Sequence, residues 1–222
     1  RNKMETEFKL KFDSVEELFS IVEEDWFLNI CLDTSEQEPE LLKNVYYDTI
    51  DRKLASKMVS VRVRTFSSIE DDEERYQHTV KLGGKVVDGL HQRFEWNFNT
   101  DSKTFDKEEF INGVRGEDDP NELLVEAFKD INDDELEMLC KTTFERTTYT
   151  FGYGDSICEA CFDVGKLSAG GKSEPICELE LELISGDVED LNDLANYIME
   201  KTNASKFDLS KFRRCLMLLD NE

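Results

Sequence analysis

The chain has 222 residues and a formal net charge of −24, from 27 Lys and Arg against 51 Asp and Glu, with a sequence pI near 4.4. So acidic a balance excludes a nucleic-acid or anionic-membrane surface, because both require a basic footprint. No apolar run approaches the roughly 18 residues of a transmembrane helix and the first residues lead straight into a strand, so one soluble, cytoplasmic domain of 1–222 with a sizeable core is expected.

Met4 to Phe12 alternates with period 2, which predicts a strand carrying Glu5, Glu7, Lys9 and Lys11 on one face and Met4, Phe8, Leu10 and Phe12 on the other. A Ser14-x-x-Glu17 capping box then opens a short covering helix with an apolar stripe of Val15, Leu18, Phe19 and Val22. Strand patterns follow at Asn44 to Asp48, Val59 to Phe66, Arg75 to Leu82 and Gln92 to Asn99, and four in a row imply an antiparallel meander. Within them Arg62 shares a face with Arg64, Lys81 with Gln77 and Thr79, and Arg93 with Glu95. The charge run Ile69 to Glu74 reads as a solvated loop.

From about Lys107 to Cys140 the pattern changes. Phe110, Leu123, Leu124, Phe128, Ile131, Leu136 and Leu139 recur at helical spacings, broken at Gly116 to Pro120, which predicts two or three helices. Strands resume at Thr142 to Phe151 and Ile157 to Asp163, joined by a hairpin turn at Gly152-Tyr-Gly-Asp155. The next strand, Ile176 to Ile184, puts Glu178, Glu180 and Glu182 on one face and Cys177, Leu179, Leu181 and Leu183 on the other. An amphipathic helix over Asp187 to Thr202 and a shorter segment over Asp208 to Leu219 close the chain. The count is eight strands.

Like charges side by side destabilise a sheet, so the carboxylates of the acidic strand must face water or meet cations. Glu5 and Glu7 supply a second acidic face, and in one closed sheet the two sets can converge on a hard cation such as Mg²⁺ or Mn²⁺. Lys9, Arg62, Arg64, Lys81, Arg93, Arg146, Lys211 and Arg214 would share that interior with them, in a chain otherwise strongly acidic. An interior of opposed charges is costly and implies a strongly charged ligand, to which Arg and Lys offer phosphate-binding groups. Other chemistries have little to work with. Cys158 and Cys161 have zinc-ligand spacing, but no second pair follows and a strand sends them to opposite faces; the six cysteines are expected to be reduced thiols. With only His78 and His91, neither a histidine-based metal site nor a Ser-His-Asp triad is expected.

Glu5-Thr-Glu7-Phe-Lys9 resembles the ExExK motif of the CYTH superfamily, the triphosphate tunnel metalloenzymes. Tyr46-Tyr-Asp48-Thr, Arg62-Val-Arg64 and Glu178-Leu-Glu180-Leu-Glu182 stand in that family's order over essentially the whole chain. Val80 to Arg93 and Glu174 to Asp187 look especially like the bacterial inorganic triphosphatase branch, in which a helical CHAD domain often follows; a single domain without it is the expectation for this chain. The resemblance implies an α+β, mainly antiparallel fold: an eight-stranded closed β-barrel tunnel with a charged lumen, flanked by helices and closed by a C-terminal helix. It implies that Lys9, Arg62, Arg64, Lys81, Arg93 and Arg146 bind substrate oxygens, and that Glu5, Glu7, Glu178, Glu180, Glu182 and Asp163 hold Mg²⁺ or Mn²⁺ or orient water, with Glu5, Glu7 and Lys9 catalytic. Ser210-Lys211-x-x-Arg214 resembles the family's tunnel-closing Ser-Lys-x-x-Arg-Gly segment, with Cys215 in place of the usual Gly. The implied activity is hydrolysis of inorganic triphosphate, a small-molecule substrate. Class IV adenylate cyclase, thiamine triphosphatase or nucleoside/RNA triphosphatase activity on the same fold stays open, as does a non-catalytic polyphosphate-binding module.

Overall fold

The computed structural model describes residues 4–35, 37–67, 74–115 and 121–220. Nine strands lie among them: β1 (Met4–Lys11), β2 (Glu40–Asp48), β3 (Val59–Ser67), β4 (Glu74–Val87), β5 (Leu90–Thr100), β6 (Glu137–Tyr153), β7 (Ser156–Ala169), β8 (Lys172–Ser185) and the two-residue β9 (Ser205–Lys206). Neighbours run β5-β4-β3-β2-β6-β7-β8-β1, all antiparallel, and β1 pairs back onto β5, so eight strands form a ring. The ninth strand only extends β1 at Leu10 and Lys11. In β1 one end, Met4 to Phe8, serves β5 while the other, Glu7 to Lys11, serves β8. Closure therefore depends on this one short strand.

The helices are α1 (Val15–Phe19), α2 (Asp25–Ile30), α3 (Lys53–Ser56), α4 (Lys107–Gly113), α5 (Asn121–Ala127), α6 (Val188–Lys201) and α7 (Lys211–Asp220). Ser14 caps α1, its side chain accepting from the Glu17 amide, and Asp187 caps α6 in the same way from the Glu189 amide. Small barrels ordinarily fill their centre with apolar side chains. This ring turns them outward. Phe8, Leu10, Ala160, Phe162, Leu179 and Leu181 leave the ring to meet Leu18, Ile21 and Phe27 on one side and Leu191, Leu194 and Ile198 of α6 on the other. Val61, Val63, Val80 and Trp96 do the same beneath Phe110, Leu124 and Phe128. Each fully buried side chain of this size contributes about 1.5–3 kcal/mol, so the fold is held by the helical jacket around the ring rather than by its centre.

Two sequence expectations need correction. Leu139 and Cys140 are not helical: Cys140 is the partner of Tyr46, and β6 starts at Glu137 because β2 is long enough to pair that far, with Asp48 opposite Glu137. The last helix starts at Lys211 rather than Asp208, since Asp208 instead accepts a hydrogen bond from the Gly89 amide at 2.6 Å. The first strand ends at Lys11, one residue short of the expected Phe12, and the other strands run past at least one of their predicted ends. In β4 the register shift between Leu82 and Lys85 requires Gly84, whose φ is +98 and whose added Cβ would stand 1.7 Å from the Gln92 carbonyl oxygen. The charge run at 69–73 and the break at 116–120 lie outside the described residues.

Candidate functional site

The inner face of the ring encloses a cavity of about 260 Å³ whose walls differ in charge. β3 contributes Arg62 and Arg64, because alternation sends Val61 and Val63 to the outer core. Arg62 donates from Nη2 to Thr79 Oγ1 (3.0 Å), which donates to Asn97 Oδ1 (2.7 Å). Arg64 donates from Nε to Asn44 Oδ1 (2.8 Å), and Asn44 is held in turn by Thr142 Oγ1 at 2.9 Å. Neither arginine forms an ion pair among the described residues, and Arg62 Nε and Arg93 Nε are buried with no hydrogen-bond partner. Burial, then the charges of Arg62 and Arg146, push the Arg64 guanidinium down to a pKa of about 9. This wall is a set of anion-binding groups short of an anion.

The carboxylates fall into two groups. Asp163 and Glu178 are register partners on β7 and β8, and with Glu180 their oxygens lie within 4.8 Å of one another, a spacing that could hold a metal ion. The chain's own cations already surround this group. Lys211 Nζ of α7 bonds Asp163 Oδ2 (2.8 Å), Glu180 Oε1 (2.9 Å) and Glu178 Oε1. Arg146 grips Asp163 with Nε and Nη2 at 2.7 and 2.8 Å and reaches Glu180 Oε2 at 3.1 Å. Lys9 Nζ lies 3.5 Å from Glu180 Oε1 and 3.9 Å from Glu178 Oε1, and Arg214 Nη1 stands 3.6 Å from Glu178 Oε2. Burial by itself would raise the Glu180 carboxyl, but Lys211, Lys9 and Arg146 outweigh it and hold the pKa well below the usual range. Lys211 is held well above the ordinary lysine value, burial being outweighed by Asp163, Glu178 and Glu180.

Glu5, Glu7, Glu95 and Glu182 form the second group, and among the described residues their ion pairs come from Lys81 and Arg93. Lys81 Nζ is 3.1 Å from Glu5 Oε1 and 3.9 Å from Glu95 Oε1; Arg93 Nη2 is 3.5 Å from Glu7 Oε1. Glu7 and Glu182 face each other in register across β1 and β8. Burial, then Glu180 and Glu5, push Glu7 up to about 7, and burial, then Glu5 and Glu7, push Glu182 up to about 8. Burial also raises Glu5, against the charge of Lys81. Glu95 goes the other way, down to about 2, because Lys81 and its other partners outweigh the effect of burial. Glu5, Glu7 and Glu182, hard oxygen donors around too little positive charge, suit a divalent cation.

Of the residues singled out in the sequence, Glu5, Glu7, Lys9, Arg62, Arg64, Lys81, Arg93, Arg146, Glu180, Glu182 and Lys211 all line the cavity. Asp163 and Glu178 lie behind its wall with no exposure. Arg214 is not in the lining: one turn beyond Lys211, it donates to Glu174 Oε1 (2.7 Å) and the Pro175 carbonyl (2.6 Å), tying α7 to β8. The sequence reading put Glu95 on the face of Arg93 but did not assign it to the site. It put Thr79 on the face of Lys81 without assigning it to the site, and it missed Asn44 and Asn97, whose roles depend on partners far away in the chain, and the ring pair of Tyr46 on β2 with Phe212 on α7, centroids 5.1 Å apart.

A closed antiparallel ring with apolar side chains outside and opposed charges within defines a tunnel protein with a charged lumen. The CYTH domain family model matches residues 3–216, and the chain belongs to that family. It is 31% identical over 183 residues to the inorganic triphosphatase of Haemophilus influenzae, an alignment that spans 82% of this chain but 47% of that protein, so the chain matches about half of its relative's length. The fold is shared with a Hippeastrum protein assigned as an adenylyl cyclase and described as having a dominant triphosphatase activity (TM-score 0.66, 18% identity, 97% of this chain and 96% of that one). It is also shared with a Bacillus halodurans protein assigned as an adenylate cyclase (TM-score 0.55, 18% identity, 94% and 95%).

Proposed function

We propose that this chain is a metal-dependent triphosphatase that hydrolyses inorganic triphosphate to pyrophosphate and phosphate. The observation that carries the reading is the pair of uncompensated walls in one cavity: guanidinium groups with open donors on one side and mutually repelling carboxylates on the other. A linear triphosphate bound with a divalent cation would relieve both, and either alone would relieve only one. The relationship to the Haemophilus triphosphatase supports the same choice of substrate.

Lys9, Arg62, Arg64, Lys81, Arg93 and Arg146 bind the phosphate oxygens, Arg62 and Arg93 through the Nε groups that lack partners. Glu5, Glu7 and Glu182, with Glu95 beside them, hold Mg²⁺ or Mn²⁺. A divalent ion there supplies charge neutralisation and an activated water for attack at a terminal phosphorus. Asp163, Glu178 and Glu180 keep Lys9, Arg146 and Lys211 in position, and Lys211 and Arg214 fasten α7 across the tunnel. The whole of 1–222 acts as one such domain, in the cytoplasm, where free thiols such as its six cysteines persist. No helix among the described residues is long and apolar enough to cross a membrane.

The test is phosphate release from tripolyphosphate, ATP, thiamine triphosphate and long-chain polyphosphate with Mg²⁺ or Mn²⁺, with cyclic AMP measured in the ATP reaction. Tripolyphosphate should be cleaved fastest. Glu7→Gln and Glu180→Gln should fold yet lose about 10²–10³ in rate, since each removes an electrostatic support without removing volume. Wild-type turnover in both variants at saturating metal would refute the assignment.

A further inference from the structure

The segment 205–210 carries β9 and leads into α7, and little of it is buried: Ser205, Lys206 and Asp208 are exposed, and Phe207 is half-buried between Lys11 and Arg214, 5.6 and 5.4 Å from its ring centroid. With so little apolar burial, hydrogen bonds decide where the segment lies. Its short ladder with Leu10 and Lys11 is extended by bonds that close on Lys9. The Phe207 N–H donates to the Lys9 carbonyl (3.0 Å), the Lys9 N–H to the Gly89 carbonyl (2.8 Å) and the Gly89 N–H to Asp208 Oδ1 (2.6 Å). His91 Nε2 adds a further bond, 2.9 Å from the Phe207 carbonyl oxygen. A carbonyl only accepts, so Nε2 carries the hydrogen. We propose that His91 is a positioning residue: it latches this segment to the ring and thereby sets Lys211 and Lys9 against the acidic group for triphosphate binding. The inference rests on the triphosphate reading above and deepens it.

His91 opposes Glu7 in register across β1 and β5 and is 1% exposed. Its Nδ1 is buried with no hydrogen-bond partner among the described residues, so the bond to Phe207 is what the ring's polar atoms hold. Burying an imidazole with one nitrogen unpaired is unfavourable where an apolar side chain would not be, and the latch explains why a polar ring stands there. Only Asp208, Leu209 and Ser210 separate Phe207 from Lys211. Ser210 opens α7, its hydroxyl oxygen accepting from the Arg213 amide and its carbonyl from the Arg214 amide, both at 3.0 Å. So short a link passes a shift of Phe207 on to Lys211. Lys211 and Lys9 meet on one atom, Glu180 Oε1, at 2.9 and 3.5 Å. When the segment lifts, the Lys9 carbonyl loses the Phe207 amide and Glu180 loses Lys211. Glu180 then draws harder on Lys9 and Arg146, which become less available to phosphate oxygens.

His91→Met and His91→Gln form the informative pair, because the two new side chains are similar in length and volume while Gln alone keeps an N–H donor at the reach of Nε2. In His91→Met the Phe207 carbonyl is left unpaired. Hydrogen exchange should then quicken about tenfold at the Phe207 and Gly89 amides while the amides of β3 keep their wild-type rates. Calorimetry without metal, so that nothing is hydrolysed, should find tripolyphosphate about tenfold weaker in His91→Met and within about threefold of wild type in His91→Gln. Asp208→Ala, at an exposed position, removes the Gly89 bond instead; it should loosen the same amides and weaken tripolyphosphate too, and it carries the test if His91→Met does not fold. Coupling between a latch and a binding site is reciprocal, so tripolyphosphate should in turn slow exchange at the Phe207 amide of the wild type. Bound tripolyphosphate that leaves this exchange unchanged, equal affinities in the Met and Gln variants, or exchange that quickens throughout β3 as well, would overturn the positioning role and leave the tunnel assignment intact. Failure of tripolyphosphate to bind the wild-type protein would overturn the tunnel reading, and this proposal with it.

Discussion

The crowding of carboxylates around Glu7 and Glu182 makes the metal-free protein lose stability as pH rises. Their folded values, about 7 and about 8, lie above the ordinary 4.5, so the folded state holds protons that the unfolded chain has already released. The stability they contribute is complete below pH ~4.5 and is lost as pH climbs through their folded values. His91 works in the opposite sense, since burial and then Lys9 depress it to about 4, but its window lies below its ordinary 6.5. Between pH 6.5 and 8 the two glutamates therefore dominate. At ~1.4 kcal/mol per proton and pH unit, Glu182 acting over that whole interval and Glu7 over its first third give ~2–3 kcal/mol. The two repel each other and do not titrate independently, which reduces the expectation to ~1–2 kcal/mol, or roughly 3–6 °C in Tm for a chain of this size. The assay is a thermal melt in chelator at pH 6.5, 7.2 and 8, repeated with saturating Mg²⁺, which should flatten the trend by replacing the missing protons. Glu182→Gln should abolish most of it. A metal-free Tm that stays level or rises across this interval would refute the claim that these carboxylates lack compensating charge.

The cationic wall makes a complementary prediction. Tripolyphosphate without metal should raise the Tm, by up to about 2.7 kcal/mol of added stability at 100 times its Kd, and orthophosphate at equal ionic strength should do far less. Arg62→Ala should diminish that shift while leaving the unliganded Tm nearly unchanged, because Arg62 forms no ion pair among the described residues and Glu95, on which its charge also acts, keeps Lys81; a large drop without ligand would count against this. Lys211→Met should behave oppositely, destabilising the unliganded protein by about 3–5 kcal/mol because Asp163, Glu178 and Glu180 are left buried with one cation fewer. Mn²⁺ should restore part of that loss in chemical denaturation, and a Lys211→Met protein as stable as wild type would show that Lys211 does not hold the cluster together.

Period-2 alternation determined which face each strand residue takes, and it did so locally: Leu179 and Leu181 are in the outer core and Glu180 in the lumen for the same reason that consecutive Cβ atoms point to opposite sides of a pleat. That is why the charged interior, the cations that line it and the eight strands of the ring were legible from residue order, and why the short motifs at Glu5 and Glu178 pointed to the family. Alternation gives a face but no partner. Strand ends followed the reach of the neighbouring strand, so the apolar spacing of Leu136 and Leu139 read as helix until β2 drew the second of them into β6. The sorting of seven carboxylates into one group saturated with cations and one left short of them depended on register between β1, β5 and β8 and on the return of α7. Lys211 reaches Asp163 across 48 residues of chain. Charge balance inside a closed ring is a sum over groups brought together from everywhere in the chain, and only the tertiary structure performs it.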